Sequence, residues 1–233
     1  MTKRIAIIDW DGTIRSDFTI RSWVRYLTDI GVVPNNSVQE IELPFALYKD
    51  RSISQDELAE RSATIYAKQL YGLPQKKIIN HTRDFIQKDR MHLFQSGREL
   101  LSYFHKHKIA VTVVSGAPAE VLTAYRDFLP IEATYGLKLE ITNGLYTGQI
   151  ASNPGISRVK EVLVQELTRS PILQVVVAMG NSASDYPLLR VAPINIIVNN
   201  RALHTQKHAI HISGDTDLAT ILLDLDKEGL IDE

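Results

Sequence analysis

Four short apolar runs, rich in β-branched residues, constrain the fold more than any other feature of this chain. They are Ile5–Ile8, Ile109–Val114, Leu173–Ala178 and Ile194–Val198. Runs of this length are typical of central strands in a parallel sheet, because helices cover such strands on both faces. Segments with helical patterns alternate with the runs, so we predict an α/β fold with a mainly parallel sheet.

A stretch of nearly eighty residues between the first two runs contains no convincing strand. Its patterns predict helices, one of them beginning at a capping box of Ser54 and Glu57. A second capping box, Ser96 with Glu99, predicts the helix that leads back to the sheet. The stretch is far longer than a normal loop, so we expect a helical domain over the end of the first strand. The predicted boundaries are residues 15–93 for this cap and residues 1–14 and 94–233 for the core.

Composition excludes several kinds of protein. The chain has 233 residues, a net charge of -1 and no cysteine, so disulfides and thiolate metal sites are excluded. The charges form no run of one sign, so nothing favours nucleic acid or an anionic membrane as a partner. No segment approaches the roughly 20 apolar residues of a membrane-spanning helix. We therefore expect a cytoplasmic protein.

A hairpin is predicted within residues 137–150, where Asn143-Gly144 suits a tight turn.

Acidic residues follow the first predicted strand directly. Asp9 and Asp11 are two residues apart in extended chain, so both point to the same side. They lie at the carboxyl end of a strand, where open α/β sheets bind ligands. Two close carboxylates repel each other unless a cation or a shared proton relieves them, and Mg²⁺ prefers such oxygen ligands. Gly12 allows a tight turn and Thr13 can hold the loop, although an acidic turn without function would look similar.

Polar residues also follow the other strands. Ser115 and Gly116 end the second run, where a hydroxyl could donate to a phosphate oxygen and a helix starting near Ala117 would add N–H groups. Lys160 lies in the first turn of a predicted helix, where the helix dipole disfavours a cation unless an anion is near. Each residue alone has an ordinary structural explanation, as a helix cap or a surface lysine.

The third strand-like run leads into a glycine-containing loop with two more oxygen ligands, Asn181 and Asp185. Both could reach a metal shared with Asp9, although Asp185 could equally cap a helix. Four strand-end loops in this order supply acids, a hydroxyl, an ammonium and an amide at one edge of the sheet. Together they predict a site for a phosphate and a divalent ion.

These motifs resemble those of the haloacid dehalogenase superfamily, in its phosphoserine-phosphatase-like branch with a helical cap after the first strand. The matching pieces are DWDGT (9–13), VVSG (113–116), the lysine of SRVKEVL (157–163), GNSASDYPLL (180–189) and NGLYTGQI (143–150). The resemblance implies a Rossmann-like, three-layer α/β/α core with an inserted helical cap. It covers essentially the whole chain, although the cap matches weakly, and it is specific for the superfamily but not for a substrate.

The resemblance also implies a role for each matching residue. Asp9 would attack phosphorus and form an aspartyl-phosphate, and Asp11 would act as general acid and then as general base. The transferring phosphoryl group would be held by Ser115, Gly116, Lys160 and Thr13. Mg²⁺ would be held by Asp9, Asp11, Asn181 and Asp185. The branch often has aspartate at position 181, so asparagine there predicts an intact but weaker metal site.

The expected activity is thus the Mg²⁺-dependent hydrolysis of a small phosphorylated metabolite. A phosphoryl transferase or mutase with the same nucleophile, and a non-catalytic phosphometabolite-binding protein, stay open as alternatives. Within the cap, the candidates to face the substrate are Arg15, Arg25, Tyr48, Lys49 and Arg51.

Overall fold

A seven-stranded sheet in the order β4-β3-β2-β1-β5-β6-β7 organises the protein in the computed structural model, which describes residues 2–205 and 209–227. All neighbours pair in parallel except β3 and β4, which are antiparallel. The strands are β1 (Lys3–Ile8), β2 (Ala110–Pro118), β3 (Ala133–Thr142), β4 (Leu145–Ser152), β5 (Leu173–Gly180), β6 (Ile194–Val198) and β7 (Ala209–Ile212).

All four apolar runs form strands, as predicted, and the hairpin around Asn143-Gly144 joins β3 to β4. Both turn residues have positive φ, 53° and 79°. The edge strand β7 was not predicted. It is only four residues long, so too few positions reveal an alternating pattern.

Helices cover both faces of the sheet. They are α1 (Thr19–Asp29), α2 (Ser37–Lys49), α3 (Gln55–Leu70), α4 (Gln75–Asp89), α5 (Gln95–Lys106), α6 (Ala119–Tyr125), α7 (Ser157–Arg169), α8 (Tyr186–Val191) and α9 (Leu218–Lys227). Buried apolar residues form one large cluster on one face of the sheet and a smaller cluster on the other. The predicted three-layer α/β/α class is confirmed. No helix in the described part of the chain is long and apolar enough to span a membrane.

The four helices α1 to α4 form the predicted insertion between β1 and α5. The chain enters and leaves it side by side, because Ser16 N donates to His92 O at 2.9 Å and Phe94 N donates to Ile14 O at 2.9 Å. Two helices of the insertion contact elements of the core: α3 contacts β4, and α4 contacts α6. Buried residues of the insertion belong to the large cluster that also covers the sheet. The division into two domains at residues 15 and 93 stays a prediction.

Two helix starts differ from the sequence prediction. Helix α3 begins at the predicted capping box of Ser54 and Glu57, but α5 begins at Gln95, so Ser96 is not its N-cap. The Ser96 hydroxyl instead donates to Gly214 O at 2.8 Å. Helix α6 begins at Ala119 rather than near Ala117, because β2 continues to Pro118 and pairs with β3 there after an irregularity.

Candidate active site

The central strand β1 lies between β2 and β5, so the loops at their carboxyl ends meet at one edge of the sheet. A cavity opens at this edge beneath the insertion. Of the eight residues predicted for the site, five line it: Asp9, Asp11, Ser115, Gly116 and Lys160. Thr13, Asn181 and Asp185 lie directly behind this lining.

Lys160 joins two of the predicted acids. Its ammonium lies 3.1 Å from Asp9 Oδ1 and 2.7 Å from Asp185 Oδ1, and the residue is only 1% exposed. Burial alone would lower the pKa of Lys160, but the charges of Asp185 and Asp9 outweigh it and raise that pKa. A cation in the first turn of α7, which the helix dipole disfavours, is therefore explained by these two carboxylates.

Asp9 follows β1 and is buried at the base of the cavity. Burial and the charge of Asp185 raise the pKa of Asp9 to about 7, although Lys160 opposes the change. Its other oxygen, Oδ2, has a long contact of 3.5 Å from the hydroxyl of Thr13. Thr13 is itself fully buried and does not line the cavity, so its predicted contact with phosphate stays a prediction.

Asp11 holds the first residue of α1. Its Oδ1 accepts hydrogen bonds from the backbone N–H of Thr19 at 2.9 Å and from the Thr19 hydroxyl at 2.5 Å. Burial raises the pKa of Asp11 to about 6, while Arg15 and Thr19 act to lower it. A carboxyl group with this pKa exchanges protons readily near neutral pH.

Ser115 and Gly116 lie in extended chain beside β1, since Val113 pairs with Ile8. Ser115 Oγ accepts the N–H of Ala117 at 3.3 Å, so its own proton stays available to a ligand oxygen. A side chain at Gly116 would meet Gly155 Cα at 2.9 Å. The two backbones thus touch at the cavity wall, and sequence reasoning did not identify Gly155.

Asp185 lies in a 3-10 turn after β5 and is completely buried. Its Oδ2 accepts from Asn181 N, Ser182 N and the Ser182 hydroxyl, each at 3.0 Å. Oδ1 accepts from Lys160 and so retains a lone pair. The side-chain amide of Asn181 lies against Gly12, where a Cβ would be 2.0 Å from Nδ2.

The donor set fits a divalent cation in charge. Three carboxylates, those of Asp9, Asp11 and Asp185, lie around one lysine, and the charge of Asp185 adds to burial in raising the pKa of Asp9. Within residues 2–205 and 209–227, no three His, Asp or Glu side chains group as a complete metal site. One or two of these carboxylates could still hold Mg²⁺, because this ion usually keeps several waters in its ligand shell.

The insertion contributes residues that sequence reasoning missed. The cavity is also lined by Phe18, Ile20, Phe45, Gln55, Leu58, Ala59 and Ser62, and on the core side by Gly155 and Ser184. Apolar insertion residues looked like ordinary core positions, and no signal in the sequence separates lining from packing.

None of the five predicted cap candidates lines the cavity. Arg15 is fully buried and forms two bonds with Asp89, Nε to Oδ2 at 2.8 Å and Nη2 to Oδ1 at 2.6 Å. Arg25 contacts Glu42 on the outer surface. Tyr48 packs against the core, and Lys49 and Arg51 are exposed. The structure thus places none of these candidates in the lining of the cavity.

The beginning of α3 is attached to the core by three side chains. Asp56 Oδ1 accepts the N–H of Ser157 at 2.9 Å and its hydroxyl at 2.7 Å. Asn153 Nδ2 donates to Ala59 O at 2.9 Å, and Gln55 Nε2 donates to Ser182 Oγ at 3.1 Å. These bonds hold the insertion over the cavity.

Comparisons with known proteins agree with this arrangement. The model of the haloacid dehalogenase-like hydrolase family matches residues 6–190. A protein of unknown function from Bordetella pertussis Tohama I is similar at 18% identity and a TM-score of 0.71, over 87% of this chain and 92% of that one. A structure described as a phospho-aspartyl intermediate analogue of phosphoserine phosphatase is similar at 18% identity and a TM-score of 0.67, over 96% and 99%.

Phosphoserine phosphatase from T. onnurineus is similar at 19% identity and a TM-score of 0.57, over 97% of this chain and 95% of that one. No curated protein sequence matches significantly. At these identities the likeness to solved structures shows the fold, which is that of the phosphoserine-phosphatase-like branch. Because the family model spans most of the chain, the protein belongs to the haloacid dehalogenase-like hydrolases, as its motifs predicted.

Proposed function

We propose that this protein is a Mg²⁺-dependent phosphatase that hydrolyses a small phosphomonoester through an aspartyl-phosphate on Asp9. The observation that carries the proposal is the contact of the Lys160 ammonium with both Asp9 and Asp185 at the base of the cavity. A lysine held there neutralises charge that develops on a transferring phosphoryl group. The similar structure described as a phospho-aspartyl intermediate analogue supports the same chemistry.

The reaction proceeds in two displacements. In the first, an Asp9 oxygen forms a bond to phosphorus while the bond from phosphorus to the ester oxygen breaks, and Asp11 gives its proton to the leaving alcohol. In the second, Asp11 takes a proton from water, whose oxygen displaces Asp9 from phosphorus and releases inorganic phosphate. The pKa of Asp11, about 6, suits both directions of proton transfer near neutral pH.

The remaining residues hold the phosphoryl group. Lys160 reaches its oxygens without moving far, because its ammonium already lies beside Asp9. Ser115 offers its hydroxyl proton, since its oxygen already accepts the N–H of Ala117. The close contact of Gly116 with Gly155 leaves the wall without side chains at that point, so a ligand can approach the backbone.

Mg²⁺ would be held by the carboxylate of Asp9, the main-chain carbonyl of Asp11 and the free lone pair of Asp185 Oδ1. When bound, it would offset the charge of the phosphate and of the three acids. Asn181 lies against Gly12 rather than in the cavity lining, so its side chain would support the Asp11 loop. This position favours an intact metal site, although Asn181 lacks the charge of the aspartate that the branch often has there.

Phosphate release from a panel of phosphomonoesters, with Mg²⁺ and with EDTA, tests the proposal. Wild type should release phosphate only with Mg²⁺, and Asp9→Asn should be inactive. Asp17→Asn is the matched control, because Asp17 is exposed and outside the cavity, and it should behave as wild type. Hydrolysis that persists in Asp9→Asn would refute the role of Asp9. Preferential transfer to an added alcohol would identify a transferase instead.

A further inference from the structure

The wall of the cavity that faces the carboxylates is apolar. It is formed by Phe18 and Ile20 at the start of α1, Phe45 of α2, and Leu58 and Ala59 of α3. Ile20, Phe45 and Leu58 are at most 7% exposed, so neighbouring residues hold their side chains in place. The rings of Phe18 and Phe45 are tilted against each other with centroids 4.9 Å apart. We call these five residues the apolar wall.

The two polar insertion residues in the lining are already engaged with protein groups. Gln55 donates to Ser182 Oγ at 3.1 Å. The Ser62 hydroxyl donates to Leu58 O at 2.7 Å, within its own helix. A ligand that reaches the apolar wall therefore meets mainly carbon, and the hydrogen-bonding groups left to it there are the second N–H and the carbonyl oxygen of Gln55, which carry no net charge.

No lysine or arginine of the insertion lines the cavity in the described part of the chain. Arg21 binds Glu42 at 2.6 Å and Asp17 at 2.9 Å, with its guanidinium 4.9 Å from the centre of the Phe45 ring. It borders a separate surface groove and does not line the cavity. Arg15 is buried against Asp89. Neither arginine is placed to bind a carboxylate of a substrate.

Acids near the cavity are occupied in the same way. Asp56 accepts two hydrogen bonds from Ser157. Glu120, next to the insertion, accepts the hydroxyl of Tyr66. In the described part of the chain, the charged residues that line the cavity are Asp9, Asp11 and Lys160, all used by the reaction. An ammonium group on the leaving alcohol would find no counter-charge.

We infer that the substrate is the phosphate ester of an uncharged, largely apolar alcohol, whose aromatic or branched carbon group packs on the apolar wall. The inference rests on the proposed phosphatase activity. A phosphoamino acid such as phosphoserine would bury an ammonium and a carboxylate without partners, which is costly, so the site rejects it. Although the fold resembles that of phosphoserine phosphatases, the wall of this chain selects a different class of leaving group.

The test compares benzyl phosphate with O-phosphoserine, because both release an aliphatic alcohol and differ in charge. With Mg²⁺, kcat/KM for benzyl phosphate should exceed that for O-phosphoserine by about 100-fold or more. Phe45→Ala should reduce this ratio about 10-fold or more, since the benzyl ring of the substrate loses its contact with the Phe45 ring. Leu47→Ala, on the same helix but 38% exposed and outside the cavity, is the matched control and should keep the wild-type ratio.

Each outcome decides the inference separately from the proposed function. Hydrolysis of O-phosphoserine as fast as benzyl phosphate would overturn the inference and leave the phosphatase proposal standing. If no ester is hydrolysed, the proposed function fails, and binding decides the inference. Benzylphosphonate should then protect the protein against thermal unfolding at about 100-fold lower concentration than 2-amino-3-phosphonopropanoate. Equal protection by the two phosphonates would overturn the inference.

Discussion

Removal of the Asp89 carboxylate should destabilise the protein more than any surface change. Asp89 forms two bonds with Arg15, and both side chains are at most 2% exposed. Asp89 also accepts the hydroxyl of Tyr125 at 2.6 Å. In Asp89→Ala the guanidinium stays buried without its hydrogen-bonded counter-charge, although the charge of Asp11 remains near it. Of its side-chain hydrogen bonds, those to Ser16 O and Ser22 Oγ remain.

Breaking a buried ion pair from one side costs about 3–5 kcal/mol. With a urea m-value of about 3 kcal/mol/M, the midpoint of unfolding should fall by about 1 to 1.7 M. The measurement is urea unfolding followed by circular dichroism, in EDTA so that no bound ion contributes. Glu42→Ala is the matched control, because its pair with Arg21 is about one third exposed and is worth less than about 1 kcal/mol.

A second variant separates the charge from the packing. Arg15→Met combined with Asp89→Leu replaces the pair by apolar side chains, and it should recover most of the stability lost in Asp89→Ala. The reasoning would be refuted if Asp89→Ala shifted the midpoint no more than Glu42→Ala does. It would also be refuted if the double variant were less stable than Asp89→Ala.

Three further predictions follow from the site and from α3. Lys160→Met should lower kcat by at least about 100-fold, because phosphoryl charge loses its cation, and single-turnover kinetics should show slower aspartyl-phosphate formation; unchanged kcat would contradict this. Without metal, the pKa of Asp9 is about 7 in the folded state, above its ordinary 3.8. The folded state therefore keeps a proton that the unfolded state releases, and wild type loses stability as pH rises through 7. The stability of Asp9→Asn relative to wild type should therefore grow by about 2–3 kcal/mol between pH 5 and pH 8, measured by urea unfolding in EDTA, and a constant difference would exclude the raised pKa. Ser54→Ala should lower the free energy of unfolding by about 1 kcal/mol through loss of the capping box of α3. Ser52→Ala, which is not part of that capping box, should change it very little.

The sheet and the reacting groups were predictable because each depends on local sequence. Buried strands need consecutive apolar residues, so Ile5–Ile8 and the three other apolar runs can be recognised in the sequence. Asp9 follows β1 directly, Lys160 lies in the first turn of α7, and Ser115 follows the part of β2 that pairs with β1, and parallel topology brings such positions together. Asp185 was predicted for the same reason, and it contacts Lys160.

The substrate side of the cavity could not be predicted in the same way. Phe45 and Leu58 have the spacing of ordinary core residues, and only the tertiary packing of α2 and α3 turns them toward the cavity. Arg15 was one of five candidates to face the substrate, but it is buried against Asp89. Its partner Asp89 is 74 residues away, and no local pattern indicates such a pair.

The two hydrogen bonds from Thr19 to Asp11 connect the proposed general acid with the apolar wall. The carboxylate that would exchange a proton with the alcohol also binds the first residue of α1, and the next residue, Ile20, belongs to the apolar wall. Each change of charge on Asp11 alters its hold on the positive end of that helix. In the proposed mechanism the acid and the alcohol-binding surface are therefore coupled, and a substitution at position 11 should change which alcohols fit as well as how fast they leave.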